Sequence, residues 1–412
     1  MALTSNNKII LPFIGIIIGW LFYLYAYFAR VEPGVLTNDL MTEFSLNASE
    51  IGAIVSMLYV PYVAMQIPWG ILVDKLGCKF IISLCCFLCS VGVLIFGVAT
   101  EPWHLVVARI IIGLSSSAAY LSCGKVISES LPSKYSVFMG ITMFVGGVGG
   151  TLGSTITAGL AKTFGWRNLT YVMATIGFII GMLAFMFLKP ESKSQIVEKG
   201  HTLEGLALLS KNPSCWLIGF YGCTSYLPLS AIAELWGTPF MQARFNVSTT
   251  EASICSAVIF ICFGLGSILA AKVANIINNK NTIILFAVGL ILAFLVAIYS
   301  DSIGFLTCVV LFGVGSIFAG SGTLVFDMTY KFVPSNFAGT STGYTNMLVM
   351  MSGVIFQPLL GKLLDFFRNG KVNPDGTPLY DIVMYRSSFM CILFVIILSV
   401  IGMLFVKERK YQ

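Results

Sequence analysis

Charge is what this sequence has least of. Of its 412 residues only 10% are Asp, Glu, Lys or Arg, where a soluble globular protein carries about a quarter. Histidine is almost missing: His104 lies at a span boundary and His201 in a loop, and neither is assigned any chemistry. The eleven cysteines are scattered, mostly within apolar runs, as Cys85, Cys86 and Cys89 are. None has metal-ligand spacing with a histidine, so they read as small apolar residues. No nucleophile is paired with a base, and no glycine loop that could cradle a phosphate precedes a soluble helix. These absences argue against an enzyme, a metal or organic cofactor, a nucleic-acid partner and an ATP-driven pump.

What the chain has instead is apolar length. It is 57% hydrophobic with a mean hydropathy of +0.90, too much to hide in a water-soluble core, so a lipid bilayer must be its solvent. The first apolar run, from Ile9, is too long for a secretory signal and lacks a small-residue cleavage site, so it is a first span. Runs of about 20 residues can be placed twelve times: 9–31, 50–73, 78–99, 103–126, 136–162, 168–189, 215–240, 249–273, 281–300, 303–327, 337–364 and 386–406. Most connections are short. The exception, 189–212, is basic and carries one apolar stretch, which predicts a linker with an amphipathic helix on the membrane surface. The expected organisation is a six-helix bundle over 1–189, a cytoplasmic linker over 190–212 and a second six-helix bundle over 213–412. With the N-terminus in the cytoplasm, fourteen basic residues fall on that side and seven on the other. Both termini are therefore expected to be cytoplasmic. The fold class is all-α integral membrane, expected as a monomer.

The densest cluster of charge in the first hundred residues is Gly70-Ile-Leu-Val-Asp-Lys-Leu-Gly-Cys-Lys79, between spans 2 and 3. So short a joint forces an antiparallel helix pair. Gly70 is expected to let helices approach closely and Gly77 to permit a tight turn, with Asp74 at a helix end beside Lys75 and Lys79. A weak internal repeat places Gly266-Ser-Ile-Leu-Ala-Ala-Lys272 after span 8, with Ala270 at the aspartate position. Gly159-Leu-Ala-Lys162 likewise resembles Gly361-Lys-Leu-Leu-Asp365. Two related bundles with a midplane cavity follow from such a repeat.

The order Gly70, Asp74, Lys75, Gly77, Lys79 resembles the helix 2–3 loop of the major facilitator superfamily of transporters. Arg109-Ile-Ile-Ile-Gly113 is similar to that family's Arg-x-x-x-Gly signature. The Gly146–Gly153 run, the Gly165-Trp166-Arg167 close of the first half, Trp236-Gly-Thr-Pro239, and Gln357-Pro-Leu-Leu-Gly361 with Asp365 extend the likeness over the whole chain. The resemblance implies twelve helices in two pseudo-symmetric bundles, transport by alternating access, an Asp74 that latches one face, and an Arg109 that braces span 4 against span 1.

Ionisable groups within the spans are few and therefore informative. Trp20, Tyr23, Tyr27 and Arg30 follow spacings of three, four and three, which puts them on one helical face. One reading is a binding stripe for a small ligand with an anionic group, since arginine offers a planar fork that stays charged. The other is an interfacial aromatic belt with Arg30 snorkelling outward. Tyr27-x-x-Arg30-Val-x-Pro33 looks like the first helix of organic-anion facilitators, which favours the first. Pro33 is expected to kink the helix and free carbonyls that a ligand could use. Glu32 and Glu234 depart from the family pattern, and carboxyls drawn out of water suit proton uptake; Glu234 could also lie near enough to the outer surface to be merely wet. Tyr59, Tyr62, Gln66, Tyr120, Trp236, Asn346 and Gln357 are further candidates to line a wet cavity. Lys125 and Glu129 read as a structural pair, and Asp327 beside Lys331 as an inner gate of the second half. Gly149-Gly150 is followed by Thr151 rather than proline, which points to uptake rather than proton antiport. The sequence reads as a carrier of a small anionic or zwitterionic nutrient coupled to protons, or to sodium; the rivals are an exporter of the same fold, or a membrane enzyme or receptor.

Overall fold

The computed structural model describes residues 5–131, 134–188, 199–334, 337–372 and 378–407. Among them, twelve spans are long and apolar enough to cross a membrane, and the only extended pairing is an isolated bridge between Val372 and Pro378. Span 1 is α1 (Ser5–Val35). A short α2 (Thr37–Glu43) leads to span 2, which is broken into α3 (Ala48–Ser56) and α4 (Tyr59–Leu76). Spans 3 to 6 are α5 (Cys78–Gly97), α6 (Pro102–Ser130), α7 (Tyr135–Phe164) and α8 (Trp166–Phe187). The connecting helix α9 (Lys199–Ser210) follows; the rest of the expected linker, 190–198, lies outside the described residues. Span 7 joins α10 (Pro213–Ser225), a π-helix (Pro228–Trp236) and α11 (Gly237–Phe245). Spans 8 and 9 are α12 (Thr249–Ile277) and α13 (Asn279–Tyr299). Span 10 runs from α14 (Phe305–Ala319) through a 3-10 turn (Gly320–Thr323) into α15 (Leu324–Tyr330). Spans 11 and 12 are α16 (Ala338–Arg368) and α17 (Ile382–Leu404).

Two prolines each remove a helical hydrogen bond, and one of them breaks its span. Pro61 has no N–H to offer the carbonyl four residues back, that of Met57, and its ring crowds that turn. Span 2 accordingly stops at Ser56 and restarts at Tyr59. Pro33 does the same to Ala29 in span 1, yet α1 continues to Val35, for a reason given below.

Packing groups the chain into two compact units: residues 1–30 with 57–197, and residues 31–56 with 198–412. In the first, α5 lies between α6 and α8, and α4 packs on α6. In the second, α14 packs on α12 and α13, and α3 on α16. The two halves repeat small devices that the sequence repeat only hints at. Gly77 (φ 82°) makes the one-residue joint between α4 and α5, and Asn278 (φ 73°) makes the joint between α12 and α13. A positive φ is where glycine is cheapest and asparagine next. Arg167, opening α8, donates to Ala99 O just beyond α5 (2.7 Å), while Arg386, near the start of α17, donates to Ile298 O in the last turn of α13 (2.9 Å). In each half an arginine binds carbonyls where span 3 or its counterpart ends, which suits the negative end of a helix.

Candidate functional site

In the first unit the residues of the span 1 stripe come together as a chain of contacts. The half-buried Trp20 donates from Nε1 to Thr142 Oγ1 (2.8 Å) and stacks on Phe138 at 5.9 Å. Tyr23 meets Tyr27 edge-on at 5.1 Å and Tyr120 at 5.7 Å. Arg30 is 2% exposed and does not reach a surface, so the snorkelling reading fails. Its guanidinium carbon sits 4.7 Å from the Tyr27 ring, 5.5 Å from Tyr59 and 4.7 Å from Tyr62. Three ring faces thus supply negative quadrupole to a cation held out of water. Tyr59, Tyr62 and Gln66 are spaced by three and four along α4 and share its face. Gln66 is buried, and neither its Oε1 nor its Nε2 has a hydrogen-bond partner among the described residues. Buried amides are rarely left so.

Glycine and a second arginine set this cage. A Cβ at Gly146 would strike the Tyr23 ring, and one at Gly149 would strike the Leu24 carbonyl, so the glycine run of α7 lets that helix press on span 1. Arg109 is fully buried and donates from Nη1 to Ala29 O (3.0 Å) and from Nη2 to Arg30 O (3.2 Å). Ala29 O is the carbonyl that Pro33 cannot serve. The expectation that a ligand could use it is therefore corrected: Arg109 occupies it and holds the backbone of Arg30 in place. Gly113, one turn on, allows α6 to touch the Leu58 carbonyl.

In the second unit, Glu234 is fully buried, not wet. It lies in the π-helix, a wide turn that is rare and frequent at functional sites. Gln357 clamps that helix to α16: its Nε2 donates to Ser230 O (2.7 Å), and Trp236 Nε1 donates to Gln357 O (3.2 Å). Gln357 Oε1 has no hydrogen-bond partner among the described residues. Gly34 packs directly on the Glu234 carbonyl, which brings the buried Glu32 to the same neighbourhood. Asn346 is half-buried, eleven residues before Gln357 and so on the same face of α16.

The proposed gate residues fare unevenly. A Cβ at Gly70 would meet nothing within 4 Å. The expected close helix approach there is absent, because no helix lies against that position among the described residues. Gly77 does make the tight turn. Lys75 is exposed, and Lys79 caps the Phe185 ring at 5.2 Å. The Asp74 side chain lies outside the described residues. Asp327 pairs with Lys331 (2.8 Å) and accepts from Asn279 Nδ2 (2.5 Å). Lys125 and Glu129 form an ion pair at 3.1 Å.

The family model for the Major Facilitator Superfamily matches residues 15–358. The chain belongs to that superfamily. As a member of it, the chain is a multi-pass membrane transporter and not an enzyme. A probable sugar efflux transporter of Pasteurella multocida is 28% identical over 276 residues, 66% of this chain and 65% of that protein, just under two thirds of its length. A cis,cis-muconate transport protein of Acinetobacter baylyi is 24% identical over 95% of both chains. A bacterial homologue of the human lysosomal transporter Spinster superposes with a TM-score of 0.79 at 15% identity, over 96% of this chain and 97% of that one. That likeness establishes the superfamily fold. Within this superfamily chain, sequence reasoning missed Ser230, whose carbonyl holds Gln357, and Thr142 and Phe138, which position Trp20. Only the partner side of each contact carried a signal, because a serine or phenylalanine in an apolar run looks like its neighbours.

Proposed function

We propose that this transporter takes up a small anionic or zwitterionic organic nutrient, an organic acid or amino acid, together with protons. It works as a single chain in a bacterial inner membrane with both termini in the cytoplasm. The observation that carries the reading is Arg30: 2% exposed, ringed by Tyr27, Tyr59 and Tyr62, with the unsatisfied Gln66 on the same face as two of those tyrosines. A guanidinium out of water favours an anionic partner, and its planar fork fits a carboxylate. Gln66 adds a donating amide nitrogen and an accepting oxygen. Trp20, Tyr23 and Tyr120 supply apolar faces for the ligand body. The near full-length relative named for cis,cis-muconate, a dicarboxylate, agrees with an anionic cargo. Glu234 and Glu32 are the proposed proton carriers, since a carboxyl shielded from water by protein takes up and loses its proton in response to small changes around it. Asp74 and Asp327, at helix ends, are the proposed latch and inner gate.

Uptake of labelled cis,cis-muconate, other small carboxylates and a neutral sugar into proteoliposomes, with and without an inward pH gradient, tests the reading. Gradient-stimulated accumulation of at least one carboxylate is expected. Transport of the sugar alone, with no effect of the gradient, would refute it. The second reading, export, is favoured by the sugar efflux relative, and would appear as loss of preloaded label driven by the same inward gradient, which a symporter would oppose.

A further inference from the structure

The start of span 2 is docked on the end of span 11 by Asp365 and Tyr380. The Ser49 N–H and hydroxyl both donate to Asp365 Oδ2, at 2.8 and 2.5 Å. The Tyr380 hydroxyl donates to Asp365 Oδ1 (2.5 Å) and accepts the Ala48 N–H (2.9 Å). The first turn of a helix has N–H groups with no partner inside the helix. Here two of them are satisfied by residues 316 and 332 positions away, and the carboxylate also meets the positive end of the helix. Burial, reinforced by the neighbouring carboxylate, pushes the Tyr380 hydroxyl above its ordinary pKa, so it stays protonated as a donor.

Below this cap the backbones touch. A Cβ at Gly361 would strike the Ala48 carbonyl, and one at Gly52 would strike the Gln357 carbonyl. Gln357, Gly361 and Asp365 are four residues apart on one face of α16, and Ala48 and Gly52 are four apart on α3. The contact therefore has one register.

Both ends of the docked segment are weak points. Residues 31–56 group with the second unit, while the chain on either side groups with the first. Pro33 and Pro61 each remove a helical hydrogen bond within a few residues of those crossings. At the first, Arg109 has replaced the missing donor at Ala29 O; at the second, the helix stops.

We propose that residues 31–56 form a detachable gate segment, hinged at Pro33 and Pro61, and that Asp365, with Tyr380, is the positioning residue that latches it to α16. With the latch made, α3 is held on span 11. With it broken, the segment moves on its hinges, a step that alternating access requires of some part of the fold. The proposal needs only that the chain is a transporter of this superfamily.

Hydrogen–deuterium exchange on the purified full-length protein in lipid nanodiscs, without substrate, tests it. In the wild type, α3 amides are expected to exchange faster than those of α4, although both belong to span 2. Asp365→Ala and Tyr380→Phe should each raise α3 exchange further, by about tenfold or more for the loss of a charge-assisted bond. Exchange in α4 and α16 and the melting temperature should stay near wild type. Asp365→Asn, which keeps an acceptor for Ser49, should restore most of the protection. Tyr380→Phe removes a single hydroxyl, so its reading survives even where Asp365→Ala folds poorly. Unchanged α3 exchange in Tyr380→Phe and Asp365→Ala, or faster exchange spread evenly over α3, α4 and α16, would overturn the proposal.

Discussion

Replacing Arg30 by lysine separates charge from geometry. The side chain is 2% exposed and its guanidinium carbon lies 4.7, 5.5 and 4.7 Å from three tyrosine rings. An ammonium at the same place keeps the positive charge and much of the attraction to the rings, which is about 0.5–2 kcal/mol for each favourable pair. It loses the planar fork. If that fork grips a carboxylate, one charge-assisted hydrogen bond is forfeited, about 1.5–3 kcal/mol. The dissociation constant should then rise roughly ten- to a hundredfold. Solvent screening does not dilute the effect, because the group is buried. The assay is calorimetry on purified protein with the tightest-binding carboxylate from a thermal-shift panel begun with cis,cis-muconate. Wild-type protein should also prefer that carboxylate to its amide, and the variant should lose the preference. A folded Arg30→Lys protein with a dissociation constant within about twofold of wild type would refute the anion clamp and move the cargo toward neutral or cationic compounds.

Glu234→Gln should abolish accumulation driven by a pH gradient while sparing counterflow exchange, which needs no net proton release. Wild-type accumulation in both Glu234→Gln and Glu32→Gln would remove both from proton transfer. Asp74→Asn should leave the protein folded and slow transport severely; normal initial rates at saturating substrate would dismiss the latch. Gly113→Ala puts a methyl group into the Leu58 carbonyl and should destabilise by about 1–3 kcal/mol, seen as a melting temperature several degrees below wild type. An unchanged melting temperature would mean that α6 can yield at that point.

The spans were legible because lipid imposes a length and a composition that few other folds share. Their ends were less so: span 7 runs to Phe245 because Pro228 and Pro239 are absorbed, one by a π-helix and one in the first turn of α11. The spacing of Trp20, Tyr23, Tyr27 and Arg30 announced a stripe, but not that Tyr59 and Tyr62 would close over the arginine. That depends on α4, which a one-dimensional pattern cannot place. Gly70 shows the opposite error. Glycine in a membrane helix suggests close packing, yet among the described residues nothing packs on this one, while Gly34, with no comparable motif around it, meets the backbone of Glu234. Pro33 leaves the Ala29 carbonyl without its helical donor, but the sequence alone does not say that Arg109, eighty residues on, claims it.

The cap on α3 also sets an order of events during synthesis. Ser49 leaves the ribosome 316 residues ahead of Asp365. At roughly 5–20 residues per second, that is a wait of about 15–60 s. Through that interval the segment 31–56 has no span 11 to settle on, and its Gly52 face lacks the Gln357 carbonyl it packs against, while its Gly34 face waits only for Glu234 of span 7. The first six spans made alone would lack the surface that holds the ends of spans 1 and 2. The docking of residues 31–56 is therefore completed only once span 11 has been made.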